Sequence, residues 1–180
     1  MYKKYVFILL SFILIIGLSG CGTTTVPEKV DNAPQTQQTQ EPVAPENEVF
    51  SIGETVKMGS LQLTLNGARF VLGDNFFKPD AGTKWLAFDC TIENSAETST
   101  GISSLLMFKL YDADNFSKET TWLASGLKGS LDGEIGAGRK MRGEIAFVVG
   151  ENETEWEFIF EPSIFGYGQA IYEISIKEVN

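Results

Sequence analysis

Four glutamates alternate along one short stretch of the sequence, at positions 151, 153, 155 and 157. Paired carboxylates hydrolyse glycosidic bonds when they lie roughly 5 to 9 Å apart across a cleft, where one donates a proton and the other assists attack. A hydrolase of envelope material that uses Glu153 and Glu157 is therefore one hypothesis. Alternation with period 2 is also typical of the solvated face of a strand, where charge discourages pairing with other chains. We predict the solvated face.

A second polar group, Asp112, Asp114 and Asn115, offers the oxygen ligands that Ca²⁺ prefers. The helix–loop–helix calcium motif needs glycine and glutamate at its sixth and twelfth loop positions, where this chain has Ser117 and Leu123. Aspartate and asparagine also favour turns, because their side chains bond to the nearby backbone. We therefore predict a turn with no metal and no cofactor. Asp112 and Asp114 are the weak candidates for a calcium-responsive surface sensor.

The sequence contains no histidine and only two cysteines, Cys21 and Cys90. The lack of histidine removes the usual general base, the Ser–His and Cys–His nucleophile pairs and the commonest zinc ligand. We therefore predict that the protein is not an enzyme. If Cys21 is acylated, an intramolecular disulfide is excluded. Both neighbours of Cys90 on its strand face are apolar, which predicts a buried, unreactive thiol.

The N-terminal residues have the organisation of a secretory signal peptide. Two lysines precede an apolar run at 5–16, which is shorter than the roughly 20 residues of a transmembrane helix. The sequence Leu-Ser-Gly-Cys at 18–21 resembles the lipobox of bacterial lipoproteins, where the cysteine is acylated and the chain is cut before it. We predict a lipoprotein signal peptide at 1–20 and a lipid anchor on Cys21. The mature chain would then be held on the extracytoplasmic face of the cell membrane.

Residues 21–48 are rich in threonine, glutamine and proline and have no apolar periodicity. A segment of this composition buries too little surface to offset its ordering entropy, so we predict a disordered spacer. The remaining residues, 49–180, are enough chain for one domain with a single core.

The domain is predicted to be a succession of short strands. In the clearest one, residues 84–94, four apolar side chains share one face: Leu86, Phe88, Cys90 and Ile92. Other alternating stretches lie at 54–58, 61–72, 105–112, 141–149, 155–160 and 170–177. Gly67 is expected to mark a bulge or a close crossing, Leu106 to face inward, and the glycine-rich residues 126–138 to form a long connection with one brief pairing. No stretch keeps a helical period, so the pattern predicts an all-β fold, an antiparallel immunoglobulin-like β-sandwich of seven or eight strands.

Aromatic residues stand in two of the predicted loops, Phe76 and Phe77 in one, Phe165 and Tyr167 in the other. Aromatic side chains are favoured interface anchors, so these four are the candidate binding residues for an envelope protein or a small ligand. The alternative is that they cap the open ends of the sandwich. A location of both loops at the same end would favour binding.

The chain is acidic, with 14 basic and 24 acidic residues and a formal net charge of −10. Such a surface repels nucleic acid and other polyanions apart from local patches. Nucleic acid is therefore excluded as a partner, and the membrane is contacted through the lipid anchor rather than by charge.

Several blocks of sequence resemble a known family. They are Phe-Ser-Ile-Gly-Glu-Thr-Val at 50–56, Gly-Thr-Lys-Trp-Leu-Ala-Phe-Asp-Cys-Thr-Ile-Glu-Asn at 82–94, Phe-Lys-Leu-Tyr-Asp at 108–112 and Gly-Arg-Lys-Met-Arg-Gly-Glu-Ile-Ala-Phe at 138–147. The resemblance is to the telokin-like, immunoglobulin-like domain of unknown function of Gram-positive surface lipoproteins, which is similar to the immunoprotective extracellular protein fold. It implies the β-sandwich and carries over no catalytic residue. A lipid-anchored, non-enzymatic binding module is the function that these observations predict together.

Overall fold

The computed structural model describes residues 28–29, 48–162 and 168–179. They form twelve strands, a helical turn and a 3₁₀ turn. The strands are β1 (Glu28–Lys29), β2 (Val49–Phe50), β3 (Thr55–Met58), β4 (Leu61–Val71), β5 (Thr83–Asn94), β6 (Thr100–Ile102), β7 (Phe108–Asp112), β8 (Thr120–Thr121), β9 (Gly133–Ile135), β10 (Lys140–Gly150), β11 (Glu155–Phe160) and β12 (Ala170–Ser175). The helical turn α1 (Ser104–Met107) precedes β7, and the 3₁₀ turn (Ile176–Glu178) follows β12.

The strands build two main sheets and a small ribbon. The six-stranded sheet has the order β1-β3-β4-β5-β10-β8, the four-stranded sheet the order β2-β12-β11-β7, and the ribbon pairs β6 with β9. All these pairings are antiparallel except β2 with β12. Seven strands have four or more residues. The predicted antiparallel β-sandwich of seven or eight strands is therefore confirmed.

The core lies between the two main sheets. The predicted inner face of β5 is fully buried, with zero exposure at Leu86, Phe88, Cys90 and Ile92. Phe88 stacks on Phe158 of the opposite sheet, with 4.3 Å between ring centroids. Stacked aromatic pairs add about 0.5–1.5 kcal/mol to the burial of their area. The packing of the core therefore fixes the position of the two sheets relative to each other.

One end of the sandwich carries the longest connections. Val71 pairs with Trp85 at this end, and Thr83 pairs with Gly150. Four connecting segments lie at this end, because each adjoins a strand that begins or ends here: 72–82, 113–119, 151–154 and 176–179. We call this the loop end. The opposite end carries 59–60, 95–99 and 136–139, since Leu61 pairs with Asn94 there.

A bulge interrupts the pairing of β4 with β5. The register shifts between Leu65 and Gly67, as the sequence predicted for Gly67. The bulge leaves room for Asn66, whose side-chain amide donates to Asp89 and Thr91 of β5 at 3.1 and 2.9 Å.

The sequence was wrong about the start of β7. Residues 105–107 form the helical turn α1 rather than strand, and Leu106 is half exposed instead of facing inward. The turn forms because the Ser104 backbone N–H and hydroxyl both donate to the Asp132 carboxylate at 2.8 Å. A local pattern of alternating residues cannot predict this polar contact, because its two partners are far apart in the sequence.

The N-terminal segment touches the sheet at one point. Glu28 and Lys29, which fall within the predicted spacer, pair with Lys57 and Val56 at the edge of the six-stranded sheet. The rest of the spacer, the signal peptide and Cys21 lie outside the described residues, and their assignments stay predictions. Within the described ranges, no helix is long and apolar enough to cross a membrane.

Candidate interaction surface

A segment that the sequence did not single out crosses the outer face of the six-stranded sheet. Residues 122–128, here called the strap, leave β8 and pass over β10 and β5. Ala124 of the strap is buried in a small cluster apart from the main core. The strap covers side chains on the outer sheet face: Val71, Trp85, Ala87 and Ala146. The outer face of β5 is therefore shielded from solvent under the strap and is polar elsewhere.

A partly buried ion pair fastens the strap to the sheet. Arg69 of β4 donates from Nε and Nη2 to Glu144 of β10 at 2.9 and 2.7 Å, and from Nη2 to the Gly126 carbonyl at 2.8 Å. The Lys128 backbone N–H also donates to Glu144, at 2.8 Å. The Arg69 hydrogen bond, opposed by burial and aided by the Lys128 N–H, holds the pKa of Glu144 below its usual value. Glu144 therefore stays ionised, and the C-terminal part of the strap is fixed to the sheet.

The β4–β5 connection presents its aromatics on a tight turn. The Asp74 carboxylate accepts the backbone N–H groups of Phe76 and Phe77 at 2.7 and 2.8 Å, and the Asp74 N–H donates to the Phe77 carbonyl at 2.6 Å. These backbone bonds lower the pKa of Asp74. Gly73 has φ +76°, and a Cβ there would lie 2.2 Å from the Phe77 carbonyl oxygen. The turn therefore requires glycine, and it fixes the backbone from which both rings project.

The strap lies beside this turn, because Ser125 is close enough to the Asp74 carboxylate to contribute to its lowered pKa. Five large apolar side chains are exposed on these two segments. Their exposed fractions are 88% for Leu72, 89% for Phe76, 49% for Phe77, 90% for Trp122 and 47% for Leu123. We call these five residues the apolar loop surface. Together its aromatics expose on the order of 500 Å² of apolar area, which is comparable to the largest apolar patch of a typical soluble monomer, a patch that is often functional.

The structure divides the four predicted binding aromatics. Phe76 and Phe77 are exposed on a fixed turn, as a binding role requires. Phe165 and Tyr167 lie outside the described residues, and their role stays a prediction. β11 ends and β12 begins at the end opposite the loop end. The sequence prediction did not include Trp122. A usable signal was present, because Trp122 and Leu123 are large apolar residues that stand beside small residues in a stretch without alternation.

The aspartates considered for calcium form a turn. The Asp112 carboxylate accepts the N–H groups of Asp114 and Phe116 at 3.0 and 2.9 Å, and Asn115 has φ +64°. Asp112 also pairs with Lys118 at 2.6 Å, and this bond is the main cause of its lowered pKa. In the described part of the chain, no three carboxylate or thiol groups are arranged to hold a metal ion. The geometry matches the predicted turn.

The four glutamates do not share a strand face, which corrects the sequence prediction. Residues 151–154 form a turn between β10 and β11. The Glu153 carboxylate folds back to within 2.8 Å of the point that a Cβ on residue 150 would occupy, so glycine at this position leaves room for the turn. Glu153 accepts from Lys118 at 2.5 Å and from the Trp156 indole N–H at 3.0 Å. Glu157 lies on β11 directly opposite Glu173 of β12.

A shallow groove of about 550 Å³ crosses the outer face of the four-stranded sheet. Glu155, Glu157 and Glu173 line it, but Glu153 does not. Glu153 is already used by its ion pair with Lys118. The carboxylate pair that the hydrolase hypothesis names, Glu153 with Glu157, is therefore not brought together across this groove.

Cys90 has no access to solvent, and within the described residues it forms no disulfide. Burial raises the pKa of its thiol well above the usual value, and the nearby Asp89 charge adds to the effect. The prediction that the thiol is buried is confirmed, and its lack of reactivity stays a prediction.

The domain-of-unknown-function family DUF4352 matches residues 50–171, which include the strap and most strands of both main sheets. The chain belongs to this family. The family description assigns no activity, and no protein with a curated description matches the sequence. The family therefore agrees with the predicted class of domain, while its function has to be argued from the surface.

Three solved structures share the fold at low sequence identity. YjhA of Bacillus subtilis is 18% identical with a TM-score of 0.54, over 71% of this chain and all of that one. A conserved hypothetical protein of Bacillus anthracis is 13% identical with a TM-score of 0.51, over 71% and 94% of the two chains. A Bacillus subtilis protein described as a "putative lipoprotein (ycdA)" is 20% identical with a TM-score of 0.52 over 65% of this chain. The matched region spans only 37% of that last protein.

Proposed function

We propose that this protein is a lipid-anchored extracytoplasmic lipoprotein whose β-sandwich is a non-enzymatic binding module. It engages a protein of the cell envelope through the apolar loop surface. The lipobox-like sequence before Cys21 supports the anchor, and the description of one structural relative as a lipoprotein is in keeping with it. The membership in a family without an assigned activity leaves binding as the function to be tested.

The observation that carries the binding role is the nearly full exposure of Leu72, Phe76 and Trp122 on backbone that is fixed from several sides. Aromatic side chains on an ordered backbone lose little conformational freedom when they dock. They are also the side chains that most often dominate binding free energy at interfaces. A mobile loop tip would need no such anchoring by Asp74 and Glu144.

The position of β1 supports an outward-facing surface. Glu28 pairs with Lys57, which pairs with Gln62 near the start of β4. Leu72, Phe76 and Phe77 of the apolar loop surface follow the end of β4, about ten residues or roughly 33 Å further along the sheet. The chain that leads to the proposed anchor therefore meets the domain at the end opposite this surface.

The binding role is tested with a double variant, Phe76→Ser with Trp122→Ser, in the full chain. Exposed side chains affect stability by only about 0.5 kcal/mol, so the double variant should keep the melting temperature of the wild type. Loss of two interface anchors should lower the amount of co-isolated envelope protein at least about tenfold. Leu105→Ser is the matched control, because Leu105 is 71% exposed at the other end of the domain. Equal recovery with all three chains would refute the proposal.

The anchor is tested separately with Cys21→Ser. Without two acyl chains the domain has no stable membrane attachment, so the variant should leave the membrane fraction and lose incorporation of labelled fatty acid. Unchanged labelling and fractionation would contradict the lipid anchor while leaving the binding role to its own test.

A further inference from the structure

The loops at the loop end carry an excess of acidic side chains. Six exposed carboxylates stand there against two exposed lysines. The acidic residues are Asp74, Asp80, Asp114, Glu119, Glu151 and Glu178, and the lysines are Lys78 and Lys177. The described residues 59–60, 95–99 and 132–139 of the opposite end expose three carboxylates, Glu97, Asp132 and Glu134, against Arg139. The excess of exposed carboxylates over basic side chains is therefore larger at the loop end.

The connections at the loop end also touch one another. The Glu151 backbone N–H donates to the Gly82 carbonyl at 2.9 Å, and Lys84 donates to the Glu151 carbonyl at 2.8 Å. The acidic 151–154 turn is therefore in direct contact with the connection that carries Phe76 and Phe77. A further aromatic, Phe116, is 68% exposed in the neighbouring 113–119 connection. Exposed aromatic rings at this end are thus bordered by carboxylates.

We infer that the loop end binds a cationic amphipathic protein segment, in which apolar side chains dock on the apolar loop surface and lysine or arginine side chains meet the acidic border. The inference rests on the proposed function and names the kind of partner. Complementary charge steers association and suppresses partners of the wrong sign. An anionic membrane surface and a second copy of this acidic chain are both disfavoured by the same charge.

Tryptophan fluorescence provides a reporter at the proposed site. Trp122 is 90% exposed, whereas Trp85 and Trp156 are 4% and 2% exposed. A segment that covers the apolar loop surface should therefore shift the emission of Trp122 and leave that of the two buried indoles unchanged. The probes are three synthetic peptides of equal length and identical leucine pattern, with lysine, glutamine or glutamate at every other position. The protein is the full chain in uncharged detergent.

We expect the lysine peptide to bind at least about tenfold more tightly than the glutamine peptide at low salt, and the glutamate peptide not to bind. The difference should shrink as salt rises, because the Debye length falls to about 8 Å at physiological ionic strength. Trp122→Phe should abolish the signal, Asp80→Lys with Glu151→Lys should remove the preference for lysine, and Leu105→Ser should change neither.

The remaining outcomes separate the two proposals. Equal binding of the lysine and glutamine peptides at Trp122 would overturn the inferred preference for a cationic partner and leave the binding role intact. No shift of Trp122 emission with any peptide would overturn the inference and count against the proposed function as well.

Discussion

Glu144 is the side chain on which the attachment of the strap depends. It is 8% exposed and takes hydrogen bonds from Arg69 and from the Lys128 backbone. The Glu144 end of this pair is buried and the Arg69 end is partly exposed. Removal of the buried carboxylate leaves the Arg69 charge without its partner, and this costs more than the pair contributes. Local patterns in the sequence could not indicate the pairing, because 75 residues separate Arg69 from Glu144.

We predict that Glu144→Gln lowers the free energy of unfolding by about 2 kcal/mol at neutral pH, because a neutral amide replaces the buried carboxylate opposite Arg69. The pKa of Glu144 is lowered in the folded state from its ordinary value of 4.5. Its contribution is therefore fully present above that value and is lost as the pH falls through the folded pKa. Urea titrations of both chains from neutral to acid pH should show the difference shrinking below about pH 4.5. A difference that does not change with pH would contradict this role.

Cys90 gives a second prediction at the residue level. In the Cys21→Ser chain it is the only thiol, and its burial and raised pKa leave no accessible thiolate. A thiol reagent should therefore not react with the folded protein at neutral pH and should label one group after unfolding in guanidinium. Rapid labelling of the folded chain would show that β5 is not buried as described.

At the level of elements, the connection after the strap is packed tightly against β10. Gly129 forms an isolated bridge with Gly143, and a Cβ at Gly143 would lie 2.5 to 2.7 Å from backbone atoms of Ser130. Contacts this short with backbone cannot be relieved by moving a side chain. The close approach of the two segments therefore requires glycine at position 143.

We predict that Gly143→Ala destabilises the domain by about 2–3 kcal/mol, the usual cost of forcing extra volume into a packed site. Gly67→Ala is the matched control within a strand, because nothing lies within 4 Å of its Cβ position and its φ is not positive. That change should be neutral or stabilising by up to about 1 kcal/mol. Denaturant midpoints measure both. A similar loss of stability in the two variants would mean that the strand, rather than the contact with Ser130, is sensitive.

Alternation along β4, β5, β10, β11 and β12 predicted most of the sandwich, because each of these strands has one face in the core. It could not predict the strap. Trp85 and Ala87 occupy the outer positions of β5, and they are buried only because a distant segment crosses above them. The same limit applies to the candidate site. Phe76 was visible as an aromatic in a loop, whereas Trp122 gains its importance from the path of the strap, which the sequence does not indicate.

At the level of the whole molecule, the two ends of the sandwich have different character. The loop end combines exposed aromatics with excess negative charge, and the opposite end receives the N-terminal segment through β1. The two functions that we propose, anchoring and binding, are thus separated along the strands. A module of this layout needs no cleft or catalytic group, since its specificity comes from the anchors and the charge around them.

The most direct test of the binding role is photo-cross-linking in intact cells of the source organism. A benzophenone amino acid replaces Trp122 in the full chain, and a second chain carries the same group at Leu105 as a control. We predict a discrete adduct with an envelope protein from position 122 and none from position 105. The absence of a protein adduct from position 122, or the same adducts from both positions, would contradict the account.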